Sequence, residues 1–207
     1  MTDLKTEKAI LDAALAEFAE KGFHGARMQT IANRAGANKA LVHYYYRSKE
    51  QLYLTALTLI SVAFREAVDS QIHRLAVGDI RGLAKVLATF VVTETQKAPY
   101  SKILITELAV GGPYLKKLSA LFVEALGEQP NAVQKFIQKG ITAGKIKPAH
   151  PMKIFSCLMG MCWNIFLMAP IADVFYERDG VHQDASFFTD YIELISEMAA
   201  SGLGVNG

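Results

Sequence analysis

The residues best equipped for chemistry lie together between Met28 and Lys49, in the stretch MQTIANRAGANKALVHYYYRSK. Lys39, His43, Tyr44, Tyr45 and Lys49 carry donors of the kind that hold phosphate oxygens, and Lys39 can also reach a guanine edge. Ala40 beside them leaves room for close backbone approach. Lys21, Arg27, Arg34, Lys39, Arg47 and Lys49 follow one another with no acidic residue between Glu20 and Glu50. A one-signed window suits a polyanion, and a solvated helical face produces the same pattern. Residues 1 to 50 hold eight Lys/Arg against six Asp/Glu, and residues 51 to 207 hold fourteen of each, so the net charge of +2 belongs to the first quarter.

Other chemistry is poorly provided for. His24, His43, His73, His150 and His182 are scattered without metal-ligand spacing, and no nucleophile motif stands out, which argues against an enzyme, a metal centre or a bound cofactor. GITAGK at residues 140–145 is one residue short of a phosphate loop and lacks the following Ser or Thr. Cys157 and Cys162 lie in an apolar run and read as reduced core residues of a cytoplasmic protein. The N-terminal MTDLKTEKAILDAA has no apolar signal core.

The elements that must position these groups read as helices. Ile10, Leu11, Ala14, Leu15 and Phe18 form an apolar stripe over Thr6 to Lys21, with Gly22 as a left-handed cap and Phe23 folding back. A short helix from about Met28 to Ala35 is stopped by Gly36, and Asn38 can N-cap the next, from Lys39 to Tyr46. A long helix follows from Gln51 to about Val77. Prolines 99, 113, 130, 148, 151 and 170 then bracket candidates at 80–97, 101–110, 114–127, 131–144 and 152–168, before a last helix from Ala185 to Ser201. Ile154 to Ala172 has no charged residue and approaches a membrane span in length. Gly160, Asn164 and Pro170 interrupt it, so a soluble helix buried on nearly every side is the expectation.

A helix-turn-helix needs a small residue where its two helices cross, a turn glycine, and a second helix with one buried and one outward side. Ala32 and Gly36 meet the first two needs; Val42 and Tyr46 supply the buried side, leaving Lys39, Ala40, His43 and Tyr44 outward. The segment Ile10 to Leu57, above all IANRAGANKALVHYYYRSKEQL, resembles the DNA-binding domain of the TetR/AcrR family of transcriptional regulators. The resemblance rests on Ile31-Ala32, Gly36, His43-Tyr44-Tyr45-Tyr46 and Ser48-Lys49-Glu50-Gln51-Leu52, and covers about a quarter of the chain. It implies groove contacts from Gln29, Lys39, Ala40, His43 and Tyr44 and phosphate contacts from Arg27, Tyr45 and Lys49, with Asn38 and Leu41 on the same DNA-facing surface. The chain departs from the family pattern at Ala26-Arg27, where a hydroxyl cap is usual, and at Leu41, His43 and Arg47.

The expected fold is therefore all-α, with a three-helix DNA-binding domain at residues 1–50 and a larger helical domain for ligand binding and dimerisation at 51–207. The mean hydropathy of +0.18 calls for additional buried surface, and the resemblance implies that the last two long helices pair with their symmetry mates in a homodimer on a palindromic operator. It also implies a small-molecule effector, apolar or aromatic, that releases a repressor. Phe64, Phe90, Tyr100, Leu104, Phe122, Met159, Trp163 and Phe166 are candidate walls of its cavity, with Glu94, Glu107 and Asn164 as polar fixers. The same stripe also serves as ordinary packing. A helical small-molecule carrier or sensor without specific DNA binding is the rival reading.

Overall fold

The computed structural model describes the backbone of residues 2–97, 100–126 and 131–205, and the side chains of 4–93, 102–107, 110–120, 131–168 and 171–205. Helical spacing carries through all of it. The described helices are α1 (Thr2–Gly25), α2 (Met28–Arg34), α3 (Lys39–Tyr45), α4 (Lys49–Ile72), α5 (Ile80–Lys97), α6 (Tyr100–Ala109), α7 (Pro113–Leu126), α8 (Ala132–Thr142), α9 (Pro151–Arg178) and α10 (Ala185–Leu203). Among the described residues there is no strand, only an isolated bridge between Ile146 and Gly204.

The chain packs as two compact units, residues 1–63 with 94–128 and residues 64–93 with 129–207. The packing thus divides elsewhere than at the expected boundary of residue 50. Three short helices cannot close a core alone. In the first unit α1 packs on both α2 and α6, and the start of α4 completes the core.

That core is built on the stripe read from α1. Ile10, Ala14, Leu15 and Phe18 are buried with Ile31, Ala32, Val42, Leu52 and Tyr53. Each large apolar side chain so buried contributes about 1.5–3 kcal/mol. α1 begins earlier than expected and continues past Gly22, which sits at φ 65, ψ 177. Gly22 is therefore a kink with extended ψ and not the expected left-handed cap. Phe23 does return to the core, 6.5 Å from the Phe18 ring and 5.1 Å from the Tyr53 ring.

In the second unit α4 ends at Ile72, short of the expected Val77. Its last spacing is kept by tight turns: Arg74 N donates to the Gln71 carbonyl and Leu75 N to the Ile72 carbonyl. The reversal lets Asp79 cap α5, its Oδ1 accepting from Gly82 N at 2.8 Å. GITAGK is a crossing point of the backbone. A Cβ on Gly140 would lie 2.5 Å from Ile146 Cδ1 and 3.0 Å from Gly78 Cα. Lys147 N donates to the Leu203 carbonyl and Val205 N to the Lys145 carbonyl, tying the C-terminal tail to the same point.

The apolar helix α9 corrects two expectations. It runs ten residues beyond 168, through position 170, because its last turns are tied to the segment leading into α10: Gln183 Nε2 donates to Asp173 Oδ1, and the Tyr176 and Phe187 rings meet edge-on at 5.3 Å. A proline inside a helix removes one backbone hydrogen bond and crowds the carbonyl four residues earlier, a cost that ties from outside the helix can offset. Nor is the helix buried on nearly every side. In the single chain only 22% of Pro151–Met168 is buried, and Leu167, Ile171, Val174 and Phe175 are exposed, as are Leu194 and Met198 on α10. That window is long and apolar enough for a membrane span by composition alone.

Candidate nucleic-acid interface

The helix pair α2 and α3 is held by four side chains. Ile31 and Ala32 on α2 and Val42 on α3 are fully buried, and Tyr46 at the C-cap of α3 is 4% exposed. Ala32 leaves the space in which the helices cross. Between them Gly36 adopts φ 64, a left-handed conformation that a side chain would strain, and Ala37 N closes the turn on the Ala32 carbonyl at 2.9 Å. Asn38 caps α3 as expected, its Oδ1 accepting from Leu41 N at 2.8 Å.

With Val42 and Tyr46 turned inward, the geometry of a helix puts Lys39, Ala40, His43 and Tyr44 outward. All four are exposed, Tyr44 at 75%. Leu41 and Tyr45 are half-buried, and the rings of Tyr44 and Tyr45 meet edge-on at 5.3 Å. Arg27 and Gln29 are exposed on α2, where Gln29 Nε2 donates to Asn33 Oδ1 at 2.9 Å. No carboxylate pairs with Arg27, Lys39 or Arg47 among the described residues.

Two of the six cations in the basic window are spent within the fold. Arg34 donates to both Glu20 oxygens, at 2.9 and 2.8 Å, and its Nη2 lies 3.5 Å from Glu17 Oε2. The pairing holds the Glu20 carboxyl below its ordinary range. Lys49 Nζ donates to the His24 carbonyl at 3.2 Å and lies 4.9 Å from the centre of the Phe23 ring. Partial burial lowers its pKa. Lys49 thus braces the end of α1, so its charge is less free than the sequence suggested.

Glu17 is the residue that sequence reasoning missed. The α2 N-cap, Arg27, makes no side-chain cap, as the missing hydroxyl implied. Instead Arg27 N donates to Glu17 Oε1 at 3.4 Å, from a carboxylate only 3% exposed. The cap comes from another helix. A signal was present, since Glu17 falls seven residues after Ile10 and three after Ala14, on the buried stripe of α1.

The described residues named for an effector cavity belong to both units. Phe64, Phe90, Met159, Trp163 and Phe166 all belong to the second unit's core, where the Phe64 ring meets Phe90 at 5.1 Å and Phe155 at 6.4 Å. Leu104 packs in the first unit. Glu107 is buried there with both oxygens occupied, Oε2 by the Tyr53 hydroxyl at 3.0 Å and Oε1 by Tyr114 N at 2.7 Å. It therefore holds the fold by tying α4 and α7 to α6. Asn164 is exposed and lines a cleft of about 380 Å³ between α9 and α10 with Gly160, Tyr191, Leu194 and Met198. The side chains of Glu94, Tyr100 and Phe122 lie outside the described residues. Among the described residues no group of three or more His, Cys, Asp or Glu is placed to hold a metal ion.

Residues 10–56 match the family described as bacterial regulatory proteins, tetR family. The chain is similar to the HTH-type transcriptional regulator RutR of Escherichia coli strain K12, with 24% identity over 95% of this chain and 90% of that one. It is similar also to the HTH-type transcriptional repressor NicS of Pseudomonas putida, 27% identical over 96% of this chain and 92% of the relative. Its fold matches the crystal structure of the transcriptional regulator FadR from Bacillus subtilis in complex with stearoyl-CoA. The TM-score is 0.71 at 19% identity, covering 94% of this chain and 98% of that one.

Proposed function

We propose that this chain, whose residues 10–56 match the tetR family of bacterial regulatory proteins, is a cytoplasmic, ligand-responsive transcriptional regulator of that family that acts as a homodimeric repressor on a palindromic operator. The observation that carries the reading is the sidedness of α3: Val42 and Tyr46 anchor it while Lys39, Ala40, His43 and Tyr44 face solvent without a partner carboxylate. Such a helix can enter a major groove, with Arg27 and the half-buried Tyr45 at the flanking phosphates. Residues 1–50 would read DNA and 51–207 would bind effector and partner.

The apolar residues left exposed on α9 and α10 support the homodimer. A second copy of the same face would remove Leu167, Ile171, Val174, Phe175, Leu194 and Met198 from water, and two recognition helices would then address successive grooves about 34–36 Å apart. For the effector, the Phe64, Phe90 and Phe155 cluster favours an apolar or aromatic molecule. The FadR structure holds stearoyl-CoA, a ligand with a long apolar chain, which agrees with that class. Effector binding would reposition α4, which carries Tyr53 and Leu57 in one core and Val68 and Ile72 in the other, and so change operator affinity about five- to 150-fold.

The test is a gel shift of the purified protein on DNA from its own upstream region across a salt series. A preference over random DNA with steep salt dependence is expected. Equal binding to random DNA would favour a carrier or sensor without specific DNA recognition.

A further inference from the structure

A second, differently built basic site lies in the second unit. No Asp or Glu occurs between Gln129 and Ala172, while Lys135, Lys139, Lys145, Lys147 and Lys153 do. None of these five cations has an ion-pair partner among the described residues; Lys135 and Lys139 lie on α8 and Lys153 at the start of α9. Elsewhere in the same unit Arg81 and Lys85 on α5 are paired, both meeting Glu193. Lys135 and Lys139, four residues apart, bring two of the unpaired charges to one face of α8. There α8 and the N-terminus of α9 enclose a cleft of about 430 Å³, lined by Gln134, Lys135, Gln138, Lys139, His150 and Pro151.

The lining is rich in donors, and two of its side-chain acceptors are already used. Gln134 Oε1 accepts from Asn131 N at 3.0 Å in a capping box, which leaves its amide hydrogens for the cleft. His150 Nδ1 accepts from Met152 N at 3.3 Å, which leaves the Nε2 edge of the ring to the cleft as a donor. Two ammonium groups and the positive end of the 28-residue α9 add to the same field. The stems of Lys135 and Lys139 and the ring of Pro151 supply an apolar floor. A lone carboxylate would satisfy only a fraction of these donors. Several phosphate oxygens joined to a flat or apolar group would satisfy most of them, and the volume lies within the range of small-molecule sites.

We propose that the α8–α9 cleft binds an organic phosphate of the nucleoside diphosphate type, with Lys135, Lys139, Gln134 and His150 as its donors. The proposal concerns a site separate from α3 and does not rest on the regulatory reading. Isothermal titration of the full-length protein with ADP, inorganic pyrophosphate and adenosine, and sedimentation with phosphatidylglycerol vesicles, tests it. Binding of ADP, weaker binding of pyrophosphate and none of adenosine are expected. Lys135→Ala with Lys139→Ala should weaken ADP at least tenfold, while Lys85→Ala, whose charge is paired elsewhere, leaves it unchanged. Helical circular dichroism confirms that each variant is folded, and Gln134→Glu, which places a carboxylate in the cleft, should also weaken ADP at least tenfold. No ADP binding at millimolar concentration, equal ADP affinity in the double-lysine variant, or capture by vesicles without ADP binding overturns the proposal.

Discussion

Arg27 N, the N-cap amide of α2, donates to the Glu17 carboxylate of α1 at 3.4 Å, and the same carboxyl group lies 3.5 Å from Arg34 at the other end of α2. One buried side chain thus reaches both ends of the first helix of the DNA-reading pair. Replacing Glu17 by Ala leaves an amide uncapped while Arg34 keeps Glu20, and should cost about 1–2 kcal/mol, read as a lower urea midpoint. Stability unchanged within error would remove Glu17 from this role.

The Tyr46 hydroxyl is buried and has no hydrogen-bond partner among the described residues. Tyr46→Phe removes an unsatisfied polar group and should be neutral or stabilising by up to about 1 kcal/mol. A clear loss of stability would mean that the hydroxyl is bonded.

Burial raises the Tyr46 pKa to about 12 from an ordinary 10.0, which makes a pH prediction. The unfolded chain loses this proton near pH 10 while the folded chain keeps it, so stability is full below pH 10 and falls as pH rises towards 12. The slope approaches about 1.4 kcal/mol per pH unit. Burial raises Tyr53 as well, so Tyr46→Phe should reduce the alkaline loss without abolishing it. Denaturation midpoints at pH 9 and pH 11 for both proteins measure the difference.

On the recognition surface the cations should separate into two classes. Lys39→Ala removes an unpaired, exposed charge and should weaken operator binding by about 1–3 kcal/mol if it reads a base, or lower the salt slope by about one if it touches phosphate. Arg34→Ala removes a charge already paired with Glu20 and should act on stability first. Fluorescence anisotropy across a salt series distinguishes them, and equal effects on operator affinity would contradict the separation.

A charge placed on the apolar face should disrupt self-association. Leu194→Glu and Met198→Glu, each at a side chain more than half exposed in the single chain, should give monomers by light scattering after size exclusion, with operator affinity falling in step. Dimers of unaltered affinity would place the partner surface elsewhere.

Much of this molecule is legible in one dimension because helical packing writes itself at spacings of three and four. The α1 stripe, the Gly36 turn, the Asn38 cap and the inward Val42 and Tyr46 follow from neighbours within one or two turns, where local sterics and hydrogen bonding dominate. Tertiary structure decided what depends on residues far apart in the chain. It brought Glu17 to the uncapped end of α2 and turned Lys49 back onto α1. It spent Glu107 on Tyr53 and Tyr114, and carried α9 through Pro170 to an exposed apolar end. A charge in a sequence has no fixed partner, and a hydrophobic run has no fixed depth. Both are settled only when other helices arrive, because desolvation and pairing are properties of the assembled surroundings and not of the residue.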